Sequence, residues 1–370
     1  MFQSYLFPIS YAFMTFPIAA LFFTLPFLIV QYRKHGYINK VRAIMLYLLL
    51  LYLMTAYFLV LLPLPAARHN EPLSGIPYQL IPFNFIHDIL KETNVSAQDV
   101  STYWKLLTER AFLQVVFNIV LTVPFGLFLR YYFRTRWVRG ILLCFLLSLS
   151  FEITQLTGIF GFYDHPYRVF DVDDLIMNTL GGMIGFLLAE WFTGLLPRIE
   201  HLDKEVDIAG KRVSYTRRAV ALLFDGFICL ILFNIASILD VPAAFWIVTG
   251  LYFMVFPFLN KGRTFGKWLV RIHLTGEAGR LKLTGLTIRY GLLYWIFFGL
   301  NLMIVTASLP SYGSTLFAFV IFVMDGWFAL HVLRRFFSKK TLLFYEQLSG
   351  TKHQITWQRP TPELAQKPAE

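Results

Sequence analysis

Long apolar runs separated by short charged segments set the pattern of the chain, and their length decides the fold class. A bilayer crossing needs about 20 predominantly apolar residues. By that measure about nine spans are predicted, at approximately 10–30, 43–63, 112–131, 138–158, 175–196, 218–239, 244–259, 287–307 and 313–332. The seventh is short and holds Pro257, so a re-entrant segment is the alternative there. The predicted fold is an all-α integral membrane protein, a polytopic bundle of about nine transmembrane helices.

The charged segments orient the bundle. Arg33, Lys34, Lys40 and Arg42 follow the first run, and Arg130, Arg134, Arg136 and Arg139 follow the third. Arg198, Lys204, Lys211, Arg212 and Arg217 lie in 197–217, 260–289 is similarly basic, and Arg334, Arg335, Lys339 and Lys340 follow the last run. They alternate with poorly basic segments at 1–9, 154–174, 240–243 and 308–312. Basic loops stay in the cytoplasm, so the N-terminus is expected outside and the C-terminus inside. Segment 197–217 is the clear break in composition and divides the chain. The expected organisation is a membrane domain over 1–196, a cytoplasmic linker over 197–217, a second membrane domain over 218–351 and an unstructured tail over 352–370.

Composition sharpens this reading. Only 15% of the 370 residues are charged and 57% are hydrophobic, against roughly 25% charged in soluble domains. The net charge of +11 falls in the short clusters between spans, a membrane pattern, and nucleic acid is set aside as a partner. Cys144 and Cys229 sit inside apolar runs without metal-ligand spacing and are expected to pack. The first run lacks a basic n-region and a cleavage site, so it is expected to be retained.

Candidate chemistry concentrates between Glu152 and Asn178, a stretch holding Glu152, Gln155, Asp164, His165, Arg168, Asp171, Asp173, Asp174 and Asn178. Carboxylates and amides are costly near hydrocarbon and mark functional sites. Glu152 would lie roughly 9 Å below the outer end of the fourth span, with Gln155 on the same helix face. Asp171, Asp174 and Asn178 share spacings of three and four at the start of the fifth span. Gly181 and Gly185 form a small-xxx-small pattern that lets helices approach closely, and the fourth and fifth spans are expected to pack along it. The alternative for Asp171, Asp173 and Asp174 is simple capping of a helix N-terminus, above all for Asp173. A divalent cation is a further candidate, since oxygen ligands suit one, although no recognised metal spacing is present. His165 reads as a loop histidine, and no nucleophile or phosphate cradle accompanies the carboxylates, so whether a reaction is catalysed stays open.

The order Glu152-x2-Gln155, Arg168-x2-Asp171-x2-Asp174-x3-Asn178-x2-Gly181-x3-Gly185 resembles the signature of the VanZ-like family. Ile81-Pro82-Phe83-Asn84-Phe85-Ile86 is similar to that family's loop motif, and Asn118 with Pro124-Phe125-Gly126 to its third-span motif. The resemblance covers roughly 40–195. It implies a multi-pass membrane protein in the context of resistance to the glycopeptide teicoplanin, with which the family's namesake is associated.

The second half holds a different cluster. Arg218 opens the sixth span and Asp225 follows seven residues later on the same face, about 12 Å into the helix. Asp325 lies at a similar depth in the ninth span. Two such aspartates, where they approach closely, cannot both stay ionised without a partner, and the candidates for it are a proton, a cation, Arg218 or Lys267. The plainer alternative is an Asp225–Arg218 ion pair, with Asp325 hydrogen-bonded elsewhere. Arg218, Asp225, Gly262-Arg263-Thr264-x-Gly266-Lys267 and Leu348-Ser349-Gly350-Thr351 resemble RDD-family motifs, with Glu346 where many members carry aspartate. That resemblance implies cation–proton exchange as a candidate activity. The basic segment 261–273, with Trp268, also suits the anionic inner leaflet.

Two functions therefore compete. In the first, Glu152, Gln155, Arg168, Asp171, Asp174 and Asn178 bind or modify a cell-envelope ligand: a glycopeptide, a cell-wall precursor or a lipid headgroup. In the second, Arg218, Asp225, Lys267 and Asp325 carry ions or protons. A third reading makes the C-terminal half an anchoring or regulatory module for another membrane protein. The lipid bilayer is the expected surrounding, and a bacterial plasma membrane the expected location.

Overall fold

The computed structural model describes residues 2–93, 100–192, 206–208, 210–276, 279–306, 311–338 and 342–356. Residues 197–205 and 209 of the linker 197–217 and the tail 357–370 lie outside the described residues, as do 308–310 of the predicted outer loop 308–312. The chain is an all-α polytopic membrane protein. Among the described residues, eight helices are long and apolar enough to cross a membrane, and a further apolar helix, Ala244–Leu259, is shorter. Two compact units divide the contacts: Met1–Phe23 with Asn39–Glu205, and Thr24–Ile38 with Val206–Glu370. The first helix, α1 (Phe2–Lys34), thus contributes residues to both.

In the first unit, α2 (Lys40–Leu61) starts at Asn39, whose Oδ1 accepts the amides of Val41 at 2.9 Å and Arg42 at 3.3 Å. That cap satisfies two of the donors a helix start leaves open. Next come the short α3 (Asn84–Glu92), α4 (Arg110–Tyr132), α5 (Trp137–Leu156) and α6 (Val172–Phe192). Beyond Pro124, which cannot donate a backbone hydrogen bond, α4 widens into a π-turn over Phe128–Tyr132. Strand β1 (Tyr78–Gln79) pairs in parallel with β2 (Phe170–Asp171), which brings the loop before α3 to the start of α6.

The closest packing is between α4 and α6, where the sequence pattern pointed to α5 and α6. A methyl group on Gly181 or Gly185 would run into the backbone carbonyls of Ile119 and Val123 in α4, and one on Gly126 into the carbonyl of Gly182. Glycines on both helices therefore let the two backbones touch. Only Gly182 turns toward α5, where a side chain would strike buried Cys144. The small-residue stripe joins the third span to the fifth, and polar contacts join the fourth to the fifth.

In the second unit, α7 (Tyr215–Ile238) begins at Ser214, whose hydroxyl accepts the amide of Arg217 at 3.3 Å. The Arg217 side chain, 1% exposed, donates to the carbonyls of Val270 at 2.7 Å, Gly36 at 2.8 Å and Arg271 at 3.0 Å and covers the Tyr32 ring. These bonds show that the chain after α8 (Ala244–Leu259) is back at the end where α7 starts. At 1.5 Å per residue α8 spans about 24 Å, short of the roughly 30 Å hydrocarbon core. The following turn makes up the difference: α9 (Phe265–Leu269) reaches down beside α7 to Asp225, about 15 Å from its first residue. Thus the seventh apolar run is a return leg completed by a descending loop, which removes the re-entrant alternative. Strand β3 (Ile272–Thr275), α10 (Leu283–Met303), α11 (Ser311–Phe337), α12 (Phe344–Leu348) and β4 (Lys352–Ile355) complete the unit. Residues 352–355, read from the sequence as the start of an unstructured tail, instead pair antiparallel with β3.

Candidate functional site

At one end of the first unit, the C-terminal turns of α2 and α5 and the N-terminal turns of α4 and α6 surround a cavity of about 900 Å3. All six residues that the sequence nominated, Glu152, Gln155, Arg168, Asp171, Asp174 and Asn178, line it. Each has an identifiable partner. Glu152, 2% exposed, accepts the backbone amide of Asp171 on Oε2 at 3.0 Å. Gln155 Nε2 donates to the carbonyl of Val60 at 2.8 Å, and Arg168 Nη2 to that of Leu62 at 3.1 Å. Both ends of the 152–171 segment are thereby tied to the last turn of α2.

The three aspartates divide their work. Asp171 is the cap: its Oδ1 accepts the Asp173 amide at 2.8 Å. Burial raises its carboxyl above the ordinary value, against the pull of that hydrogen bond, with Asp173 and Asp88 adding to the rise. Asp173, the residue to which the capping alternative applied most, instead holds the loop motif. Its Oδ1 accepts the amide of Phe83 at 2.6 Å and its Oδ2 that of Phe85 at 2.8 Å. Phe83 has a left-handed backbone, φ 65°, and both bonds fix that unusual turn. Asp174 accepts the side-chain amide of Asn118 from α4.

Asn178, 3% exposed, sits one turn deeper. Its Nδ2 donates to Ser148 Oγ at 3.0 Å and its carbonyl accepts Thr122 Oγ1 at 2.5 Å. Its side-chain oxygen has no hydrogen-bond partner, although the residue lines the cavity. Buried oxygens are rarely left so. Asp164 and His165 stay outside the cavity, where the His69 ring at 2.6 Å, aided by Arg68 and His165, holds the Asp164 carboxyl below its ordinary value. Among the described residues no three His, Cys, Asp or Glu side chains are arranged to hold a metal ion.

Other lining residues went unnoticed in the sequence. Arg110, Gln114 and Asn118 follow one another at intervals of four along α4 and all line the cavity. Their period was a usable signal, since residues four apart share a helix face; only Asn118 stood out, through the family motif. Ser148 precedes Glu152 by four and lies on the same face. Leu59, Leu113, Phe117, Val120 and Leu121 supply the apolar part of the lining, and Val120 is 56% exposed.

The second unit separates the residues that the sequence grouped. Asp225 is met by Tyr252 Oη at 2.8 Å and the Gly266 amide at 2.7 Å on Oδ1, and by Thr264 Oγ1 at 2.5 Å and Lys267 Nζ at 3.5 Å on Oδ2. The expected Arg218 pair is absent because Arg218 turns to Glu346, at 3.0 Å. Glu346, 1% exposed, also binds Arg289 at 3.0 Å and lies 3.4 Å from His353. Burial alone would raise its carboxyl; the bond from His353, with Arg289 and Arg218, holds it well below the ordinary range. Asp325 accepts Asn301 Nδ2 at 3.0 and 3.2 Å, so the two intramembrane aspartates have different partners.

Residues 46–193 match the VanZ/LLP1 family. The match holds every helix around the cavity and stops before the second unit. No curated protein and no solved structure matches the chain. The chain is thus a multi-pass membrane protein with a VanZ-like region.

Proposed function

We propose that the VanZ-like region binds the polar part of a cell-envelope ligand in the cavity between α2, α4, α5 and α6. The observation that carries this reading is Asn178: a nearly inaccessible amide with an unpartnered oxygen, on a cavity also lined by Glu152 and Asp174. Intramembrane polar groups are costly unless they serve a ligand or a partner. With the basic loops in the cytoplasm, this end of the bundle would face outward from a bacterial plasma membrane, where a glycopeptide, a cell-wall precursor or a lipid headgroup would be met. Glycopeptide protection is the context that the family suggests. Cells expressing Glu152→Gln or Asp174→Asn are expected to lose protection against a teicoplanin-type glycopeptide while the protein accumulates normally in the membrane. Full protection by both variants would sink the reading.

For the second unit we propose an anchoring or regulatory module, the reading favoured by the four donors already seated on Asp225. Cation–proton exchange through Asp225 is the rival. It requires flux in proteoliposomes that Asp225→Asn abolishes; absence of flux in the wild type leaves the module.

A further inference from the structure

Donor and acceptor balance in the cavity narrows the ligand. Three side-chain amides of its lining give N–H groups to the protein, Asn118 to Asp174, Gln155 to Val60 and Asn178 to Ser148, and exposed Gln114 adds a fourth amide. Arg168 gives one N–H to Leu62. Glu152, Asp171 and Asp174 bring three carboxylates to the lining, each with one oxygen already on a protein donor and the other without one among the described residues. Such a lining suits a positively charged group with several N–H donors, because charge-assisted hydrogen bonds to carboxylates are about twice as strong as neutral ones. A primary ammonium, with three donors on one atom, meets that description. A trimethylated ammonium, without N–H, can make no such hydrogen bond to these carboxylates.

The apolar part of the lining says what carries the ammonium. Leu113, Phe117 and Val120 recur at helical spacing along one face of α4, within a span, and Leu59 and Leu121 join them. The exposure of Phe117 and Val120 leaves this wall open to hydrocarbon. The exposed Arg110, in the first turn of α4, lines the same cavity and supplies a cation for a phosphate.

From these features we infer that the cavity receives a bilayer lipid with a primary-ammonium head group, its amine on the Glu152 and Asp174 carboxylates and its chain along α4. This inference rests on the ligand-binding reading above and names the class of ligand.

The test uses the full chain, purified in mild detergent and offered three phospholipids with identical acyl chains: phosphatidylethanolamine, its N-trimethyl counterpart and phosphatidylglycerol. Native mass spectrometry reads what stays bound. The ethanolamine lipid is expected to be retained about tenfold or more over the other two. Glu152→Gln with Asp174→Asn should erase that preference, and the single isosteric variants serve where the double one unfolds. Equal retention of the trimethylated or glycerol lipid overturns the inference, as does a preference that survives these changes. A soluble phosphoethanolamine arm separates the sources. Competition at concentrations matching the lipid would show an amine site without lipid specificity and remove the bilayer lipid. Loss of glycopeptide protection in Glu152→Gln, together with indifference to head group, would refute this inference and leave the broader reading intact.

Discussion

Asp173 and Glu346 show how a single buried carboxylate ties together segments far apart in the chain. Asp173 holds two consecutive turns of the 81–86 motif through backbone amides. Asp173→Ala leaves both amides without an acceptor, and each bond to a charged group contributes about 1.5–3 kcal/mol. The variant is expected to unfold at lower temperature in detergent, and protease should cut within 81–86 sooner than in the wild type. Glu346 gathers Arg218 and Arg289, and Arg289 is 2% exposed. Glu346→Gln strands that guanidinium in the interior, a change that costs about 3–5 kcal/mol when one partner of a buried pair is removed. The pH dependence has a definite sign. Folded Glu346 releases its proton at lower pH than the unfolded chain, so its contribution is complete above the ordinary carboxylate value of 4.5 and is lost as pH falls below it. Melting temperatures recorded from pH 7 to pH 3 should therefore drop more steeply below about 4.5 in the wild type than in Glu346→Gln.

At the level of elements, the α4–α6 contact is the most demanding feature of the first unit. Gly126, Gly181 and Gly185 each face backbone of the other helix, which has no rotamer by which to move aside. Gly185→Leu is expected to force the helices apart at a cost of at least about 1–3 kcal/mol. It would also carry Asn118 away from Asp174. Gly226→Leu and Gly326→Leu are built-in controls, because a Cβ there meets nothing within 4 Å. Thermal stability in detergent should fall for the first and hold for the other two. The spacing of Gly181 and Gly185 was legible in the sequence, whereas their partner was not. A small-xxx-small pattern shows that some helix comes close, and neighbours in the sequence are only the simplest guess.

On the scale of the whole molecule, the alternation of basic and non-basic loops makes a prediction that labelling can check. With Cys144 and Cys229 replaced by serine, Glu71→Cys should react with an impermeant maleimide on intact cells and Arg280→Cys only after lysis. The reverse pattern would invert the proposed orientation and place the acidic cavity in the cytoplasmic half. The exposed character of Glu71 and Arg280 makes either result readable.

Run length and polarity alone determined the class of this protein: apolar stretches in one chain have few stable solutions other than a helical bundle in lipid. The same logic singled out Glu152, Gln155, Arg168, Asp171, Asp174 and Asn178, since polar groups are conspicuous where water is absent, and all six line one cavity. Tertiary structure alone decided how these groups are used. Asp173 became a clamp for a loop 90 residues away, and Arg218 chose Glu346 over Asp225. Periodicity relates residues a few positions apart, while hydrogen-bond partners across helices depend on which faces meet and at what depth. The seventh run shows the same division, because only the seat of α9 on Asp225 explains how so short a helix brings the chain back.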